Sequence, residues 1–200
     1  MTLLFLGTFA GSLLLSFVLT KVVRDFAVRK NWLSAPASHR HLHNDALPRL
    51  GGVAIVFSFL IATGVALLSN KFLIHSPANL SLAPLATILP PAILIFLLGI
   101  YDDRRNASPL LKFSVQAVAG AMLFAGGLRI LALPVLFGTH RFSGVTGLAL
   151  TILWVIAITN AFNLIDGLDG LAAGSALFST LVVFVVALLG NMSLISLVAL

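Results

Sequence analysis

Asn160, Asn163, Asp166 and Asp169 recur at every third position of NAFNLIDGLDGLAAG, a polar strip between two long apolar runs. In an α-helix, steps of three lag by about 60°, so the first three of these residues span roughly 120° of one face. Gly167 and Gly170 then loosen the backbone and permit close approach to a ligand. Such a strip can offer amides to a polar ligand and carboxylates to a divalent cation. The plainer alternative is a polar loop that caps two helices. Capping accounts for one Asp at a helix start, but not for two Asn and two Asp in register.

Two further polar stretches carry chemistry. Asp102 and Asp103 follow an apolar run in GIYDDRR. Adjacent like charges repel unless a cation or arginine lies close, and Arg104 and Arg105 are at hand. The pair reads either as a solvated cluster marking orientation or as carboxylates for Mg²⁺ or proton removal. The stretch HRHLHNDALPRLGG holds His39, Arg40, His41, His43 and Arg49 before a Gly pair. Three alternating histidines could bind metal, but with no cysteine or adjacent acid the set for zinc is incomplete. Basic groups beside close-approach glycines suit a phosphate better, and the bland reading is an ordinary basic loop. Lys112 and Gln116 stand four apart, so on a helix they share a face that extends a polar pocket inward. Trp32 and Trp154 read as membrane-interface anchors.

The elements that must position these groups are membrane spans. The 200 residues are 60% hydrophobic and 9% charged, against about 25% charged in soluble domains, and the mean hydropathy is +1.11. The absence of cysteine excludes disulfides, thiolate metal sites and a cysteine nucleophile. A span needs about 20 apolar residues. The pattern predicts spans near residues 3–23, 50–68, 82–100, 110–128, 145–162 and 171–189, with residues 193–200 opening a seventh. Pro90 and Pro91 should kink the third span rather than end it. The link LRILALPVLFGTHRFSG has no clear structure. The expected fold is therefore an all-α polytopic transmembrane helix bundle, one integral membrane domain over residues 1–200. Because the chain stops inside an apolar run, we expect it to be the N-terminal part of a longer domain.

Of the 12 Lys and Arg, nine fall on the side reached after the first, third and fifth spans, and only Lys71, Arg129 and Arg141 on the other. The basic-rich side should be cytoplasmic. The net charge of +6 is thus an orientation signal, and no nucleic-acid partner is expected. All six acids, including Asp25 and Asp45, share the basic side. Acids do not set topology, so a cytoplasm-facing site is the simplest cause.

In order along the chain, PRLGG with Arg40 and His43 upstream, GIYDDRR and NAFNLIDGLDGLAAG resemble the polyprenyl-phosphate N-acetylhexosamine-1-phosphate transferases, glycosyltransferase family 4. The last stretch is similar to the family's N-x-x-N-x-x-D-G-x-D-G-L-A signature. Ser34 departs from the pattern, which has Asp two residues before the first-loop proline. The resemblance implies transfer of a sugar-1-phosphate from a UDP-sugar to a polyprenyl phosphate lipid, with release of UMP and a requirement for Mg²⁺, or Mn²⁺ in its place. It implies an enzyme of the inner (plasma) membrane, feeding cell-envelope polysaccharides such as lipopolysaccharide or teichoic acid, and it allows a homodimer. Carried onto these residues, it makes Asp102 or Asp103 the group that deprotonates or positions the attacking phosphate, and Asp166 and Asp169 the metal or nucleotide ligands. Asn160, Asn163, Lys112, Arg40, His43 and Arg49 become substrate-binding groups. The UDP-GlcNAc branch fits better than the phospho-MurNAc-pentapeptide branch. From other classes, an ion-coupled transporter would place its acids near the bilayer midplane, and an inactive structural fragment would leave them without work.

Overall fold

The structure, a computed structural model, describes residues 2–30, 32, 51–69, 82–135, 138–166, 171–190, 195 and 199. Six helices run through them: α1 (Thr2–Arg29), α2 (Gly51–Ser69), α3 (Ala83–Arg105), α4 (Pro109–Ala125), α5 (Gly144–Ile165) and α6 (Leu171–Leu189). Between α4 and α5, β1 (Ala132–Val135) and β2 (Gly138–Arg141) pair antiparallel, with Ala132 opposite Arg141 and Val135 opposite Gly138. That hairpin occupies the link whose structure the sequence left open. Pro134 is tolerated in it because a two-stranded ribbon has two free edges.

All but α4 are long and apolar enough to cross a membrane; α4 has 17 residues. It was expected to reach residue 128, but it ends at Ala125, followed by Gly126 and Gly127. Gly127 takes φ 96°, where a side chain would be strained. Two helices run on past the apolar stretch that betrays them. α1 continues through Arg24 and Asp25 to Arg29, and α3 continues through Asp102, Asp103 and Arg104 to Arg105. Hydropathy marks the depth of the membrane, whereas a helix ends where its backbone is capped. α3 passes through Pro90 and Pro91 without a stop. The expected seventh span falls largely outside the described residues.

The chain divides into two compact units. In the first, residues 1–81 with 174–200, α1 packs on α2. The side chains buried there are small: Ala27, Ala54, Ser58, Thr63, Ala66 and Ala187. Ser58 Oγ donates to the Ala54 carbonyl at 2.7 Å, so its hydroxyl is satisfied within its own helix.

The second unit, residues 82–173, has α4 at its centre, packed on α3 and on α5. The α4–α5 seam is again made of small residues. Ala119 and Gly120 of α4 and Gly147 and Thr151 of α5 are buried. A Cβ on Gly120 would lie 2.8 Å from Ile152 Cα, so the two backbones touch. Thr151 Oγ donates to the Gly147 carbonyl at 2.7 Å and accepts the Ile130 N–H at 3.1 Å, tying the hairpin's base to α5. Large side chains face outward instead: Phe17 is 78% exposed, Val145 80% and Leu164 82%. Small residues inside and large apolar ones outside suit a bundle whose solvent is lipid. Trp32 stacks edge-to-face on Phe26 at 5.7 Å. Trp154 corrects an expectation: it is exposed midway along α5, far from either end where an interface anchor belongs.

Candidate active site

The α3–α4 turn is built around Asp102. Asn106 follows α3 in the left-handed region, φ 50°, and its N–H donates to the Asp102 carbonyl at 2.9 Å. Asn is among the few residues with a side chain that accept this conformation readily. Ser108 then caps α4 by accepting the Leu111 N–H at 3.3 Å, and Pro109 supplies a first helical residue that needs no N–H partner. The Asp102 carboxylate closes the turn: Oδ1 accepts the Ala107 N–H at 2.9 Å, and Oδ2 accepts Lys112 Nζ at 2.6 Å. Both side chains are more than two-thirds buried, with 28% of Lys112 and 29% of Asp102 exposed. Asp103, Arg104 and Arg105 are exposed on the same last turn of α3.

One turn along α4 from Lys112, Gln116 lies on the same face and is 3% exposed. Its Oε1 accepts Asn160 Nδ2 at 2.7 Å, and the same Nδ2 donates to the Ile156 carbonyl at 2.8 Å. A single face of α4 therefore takes an aspartate from α3 and an asparagine from α5. Asn160 is half-buried in this contact, while Asn163 and Asp166 are exposed. The three do not present one common surface: the 60° lag per step turns the first against α4 and the next two outward.

Asp166 is the residue at which α5 ends, with φ −67° and ψ −9°, its N–H donating to the Phe162 carbonyl at 3.1 Å. A carboxylate there faces the negative end of the helix dipole, which favours cations and disfavours anions. Capping of α5 therefore does not explain a carboxylate at this position. Among the described residues no three acid or imidazole groups gather into a metal cage. Mg²⁺ commonly takes only one or two protein carboxylates plus phosphate oxygens and water, so the donor set present fits that ion. Arg40, His43, Arg49 and Asp169 lie outside the described residues. Sequence reasoning placed Gln116 on the Lys112 face without giving it a partner. Its signal was its rarity, as the only glutamine of the chain.

The arrangement defines a class: a polytopic membrane protein with acids, amides and a lysine gathered at the ends of three packed helices. Residues 85–200 match the glycosyl transferase family 4 domain, and the chain belongs to that family. A "Probable undecaprenyl-phosphate N-acetylglucosaminyl 1-phosphate transferase" of Bacillus subtilis is 35% identical over 191 residues, covering 94% of this chain and 49% of the relative. An "Undecaprenyl-phosphate alpha-N-acetylglucosaminyl 1-phosphate transferase" of Thermotoga maritima is 34% identical, covering 85% of this chain and 48% of the relative. A "Decaprenyl-phosphate N-acetylglucosaminephosphotransferase" of Mycolicibacterium smegmatis is 33% identical, covering 86% and 42%. The chain thus spans about half the length of the curated relatives it matches. No solved structure matches.

Proposed function

We infer that the full protein carrying this sequence transfers N-acetylglucosamine-1-phosphate from UDP-GlcNAc to undecaprenyl phosphate, releasing UMP, at the cytoplasmic face of the plasma membrane. The observation that carries this reading is the match, over 85% or more of the chain, to relatives named for polyprenyl-phosphate N-acetylglucosamine-1-phosphate transfer. The nine-to-three split of basic residues supports the cytoplasmic orientation.

In this reaction an oxygen of the lipid phosphate bonds to the sugar-bearing phosphorus of UDP-GlcNAc. The bond from that phosphorus to the UMP oxygen breaks, and UMP leaves as the anion. Two anions must therefore be held close, and positioned cations supply that. Lys112, with Arg40, His43 and Arg49 of the first loop, would do so. Asp102 or Asp103 would take the proton of the lipid phosphate or position it; Asp102 is favoured by its seat against Lys112. Asp166 and Asp169 would hold Mg²⁺, or Mn²⁺ in its place. When bound, the ion neutralises diphosphate charge and improves the leaving group. Asn163 can offer its amide to the nucleotide. Both N–H bonds of the Asn160 amide are already committed within the protein, leaving its carbonyl oxygen for a ligand.

Membranes containing the full protein should convert UDP-GlcNAc and undecaprenyl phosphate to lipid-linked GlcNAc and UMP, with Mg²⁺ and not in excess EDTA. Equal product in EDTA would overturn the metal role. Turnover of the MurNAc-pentapeptide donor alone would move the protein to that branch.

A further inference from the structure

We propose that Gln116 is a positioning residue: by holding the Asn160 amide it fixes the rotation of the last turns of α5, and so where Asn163 and Asp166 stand. The proposal rests on the transferase reading for what those two residues bind, but not for the clamp itself.

Gln116 is almost wholly buried, and from Val115 to Ala125 it is the one polar side chain of the helix. An amide carried there without a partner is unfavourable, so its bond has a role to fill. The direction of that bond is fixed by the backbone. Asn160 Nδ2 lies 2.8 Å from the Ile156 carbonyl, which can only accept, so this atom must be the nitrogen. Gln116 must then present its oxygen, 2.7 Å away. Asn160 is held by one bond within α5 and one across to α4, and its side chain cannot turn without breaking one of them.

The placement of the last residues of α5 depends on that hold. Asn163 is three residues on and Asp166 six, both exposed and both with the chemistry of nucleotide or cation ligands. A rotation of α5 about its axis would carry them together. The other end of the same α4 face holds Asp102 through Lys112, four residues before Gln116. α4 therefore acts as a spacer: one face sets the acid of α3 and the amide-and-acid strip of α5 in fixed register. The close backbone contact at Gly120 and Ile152, one further turn along, keeps the two helices near enough for the amide bond to form.

The test uses the full-length protein with Gln116→Met, which keeps the side-chain length and lacks the acceptor, and Gln116→Glu, which keeps an acceptor oxygen at the same reach. Gln116→Met should raise KM for UDP-GlcNAc roughly 10-fold, in line with losses on removing groups that orient a ligand-binding side chain, and change kcat far less. Gln116→Glu should restore KM, and adding Gln116→Met to Asn160→Leu should cause no further loss, since the bond it removes is already gone. Unchanged KM in Gln116→Met, no rescue by Glu, or additive losses would each overturn the clamp. A second readout needs no turnover. These 200 residues hold no cysteine; with any cysteine outside them replaced, Asn163→Cys should react with a maleimide at a different rate once Gln116→Met is added, and at the original rate with Gln116→Glu. Equal rates in all three backgrounds would overturn the proposal. Absence of UDP-GlcNAc turnover in the unaltered protein, with the labelling change intact, would defeat only the transferase reading.

Discussion

Asp102 and Asp166 look alike in the sequence, yet their surroundings differ. Asp102 already accepts two donors, the Ala107 N–H and the Lys112 ammonium. Asp166 ends a helix where its charge is unwelcome. The two asparagine variants should therefore differ. Asp166→Asn removes an unfavourable charge from a helix end that tolerates Asn, so insertion and stability should hold, while the apparent Mg²⁺ or UDP-sugar affinity falls about 10-fold or more. Asp102→Asn keeps an oxygen for Ala107 but loses the Lys112 pair and any basicity. Its kcat should fall by about 10²–10⁴, the scale of positioned acid–base chemistry. Steady-state kinetics across a Mg²⁺ series, with expression checked in parallel, separates these outcomes; near-normal turnover in both would make the acids structural. At this scale the sequence was legible in part. The four-residue spacing of Lys112 and Gln116 placed them on one face, but spacing names a face and not the partner across it. For that reason the Asp102 and Asn160 contacts were out of reach.

The helices show the same division. Hydrophobic runs located all six within a few residues in the apolar zone, because lipid-facing length is what hydropathy measures. Their ends were read less well: the third span was expected to stop near residue 100, and DDRR is the last turn of α3. The cue was present in N-A-S-P, an Asn that can take the left-handed turn followed by a Ser cap and a Pro at the first helical position. The hairpin between α4 and α5 left no such cue, since its pairing is between backbones. The seam between α4 and α5 yields a prediction of its own. Gly120→Ala pushes a methyl to within 2.8 Å of the Ile152 backbone, and overpacking of this kind typically costs about 1–3 kcal/mol. Gly99→Ala, where nothing lies within 4 Å, should be neutral or stabilising, since alanine favours a helix by about 1 kcal/mol over glycine. Thermal unfolding in detergent should show a lowered midpoint for the first variant and none for the second. The same shift in both would remove the close contact as its cause.

Among the described residues, each unit turns most of its large apolar side chains outward and buries mainly alanine, glycine and hydroxyl-bearing residues, so the bilayer supplies the apolar surroundings that a soluble core would. Its orientation rests on the basic split, and α4 is the helix on which the parity of the topology depends, being the shortest. Single cysteines at Arg105 and His140 flank it. An impermeant thiol reagent applied to intact cells should label His140→Cys and spare Arg105→Cys. The reverse pattern would invert the protein, and equal labelling would mean that α4 does not cross. The pair at the head of α4 has a further consequence. An ammonium group presents three N–H bonds, and Asp102 takes one of those on Lys112. An arriving phosphate can share the same cation without evicting the carboxylate. The long lysine side chain has also been frozen in place by its neighbour, so the conformational entropy of ordering it, about 1.5–2 kcal/mol, was given up when the chain folded and not at the encounter with an anion.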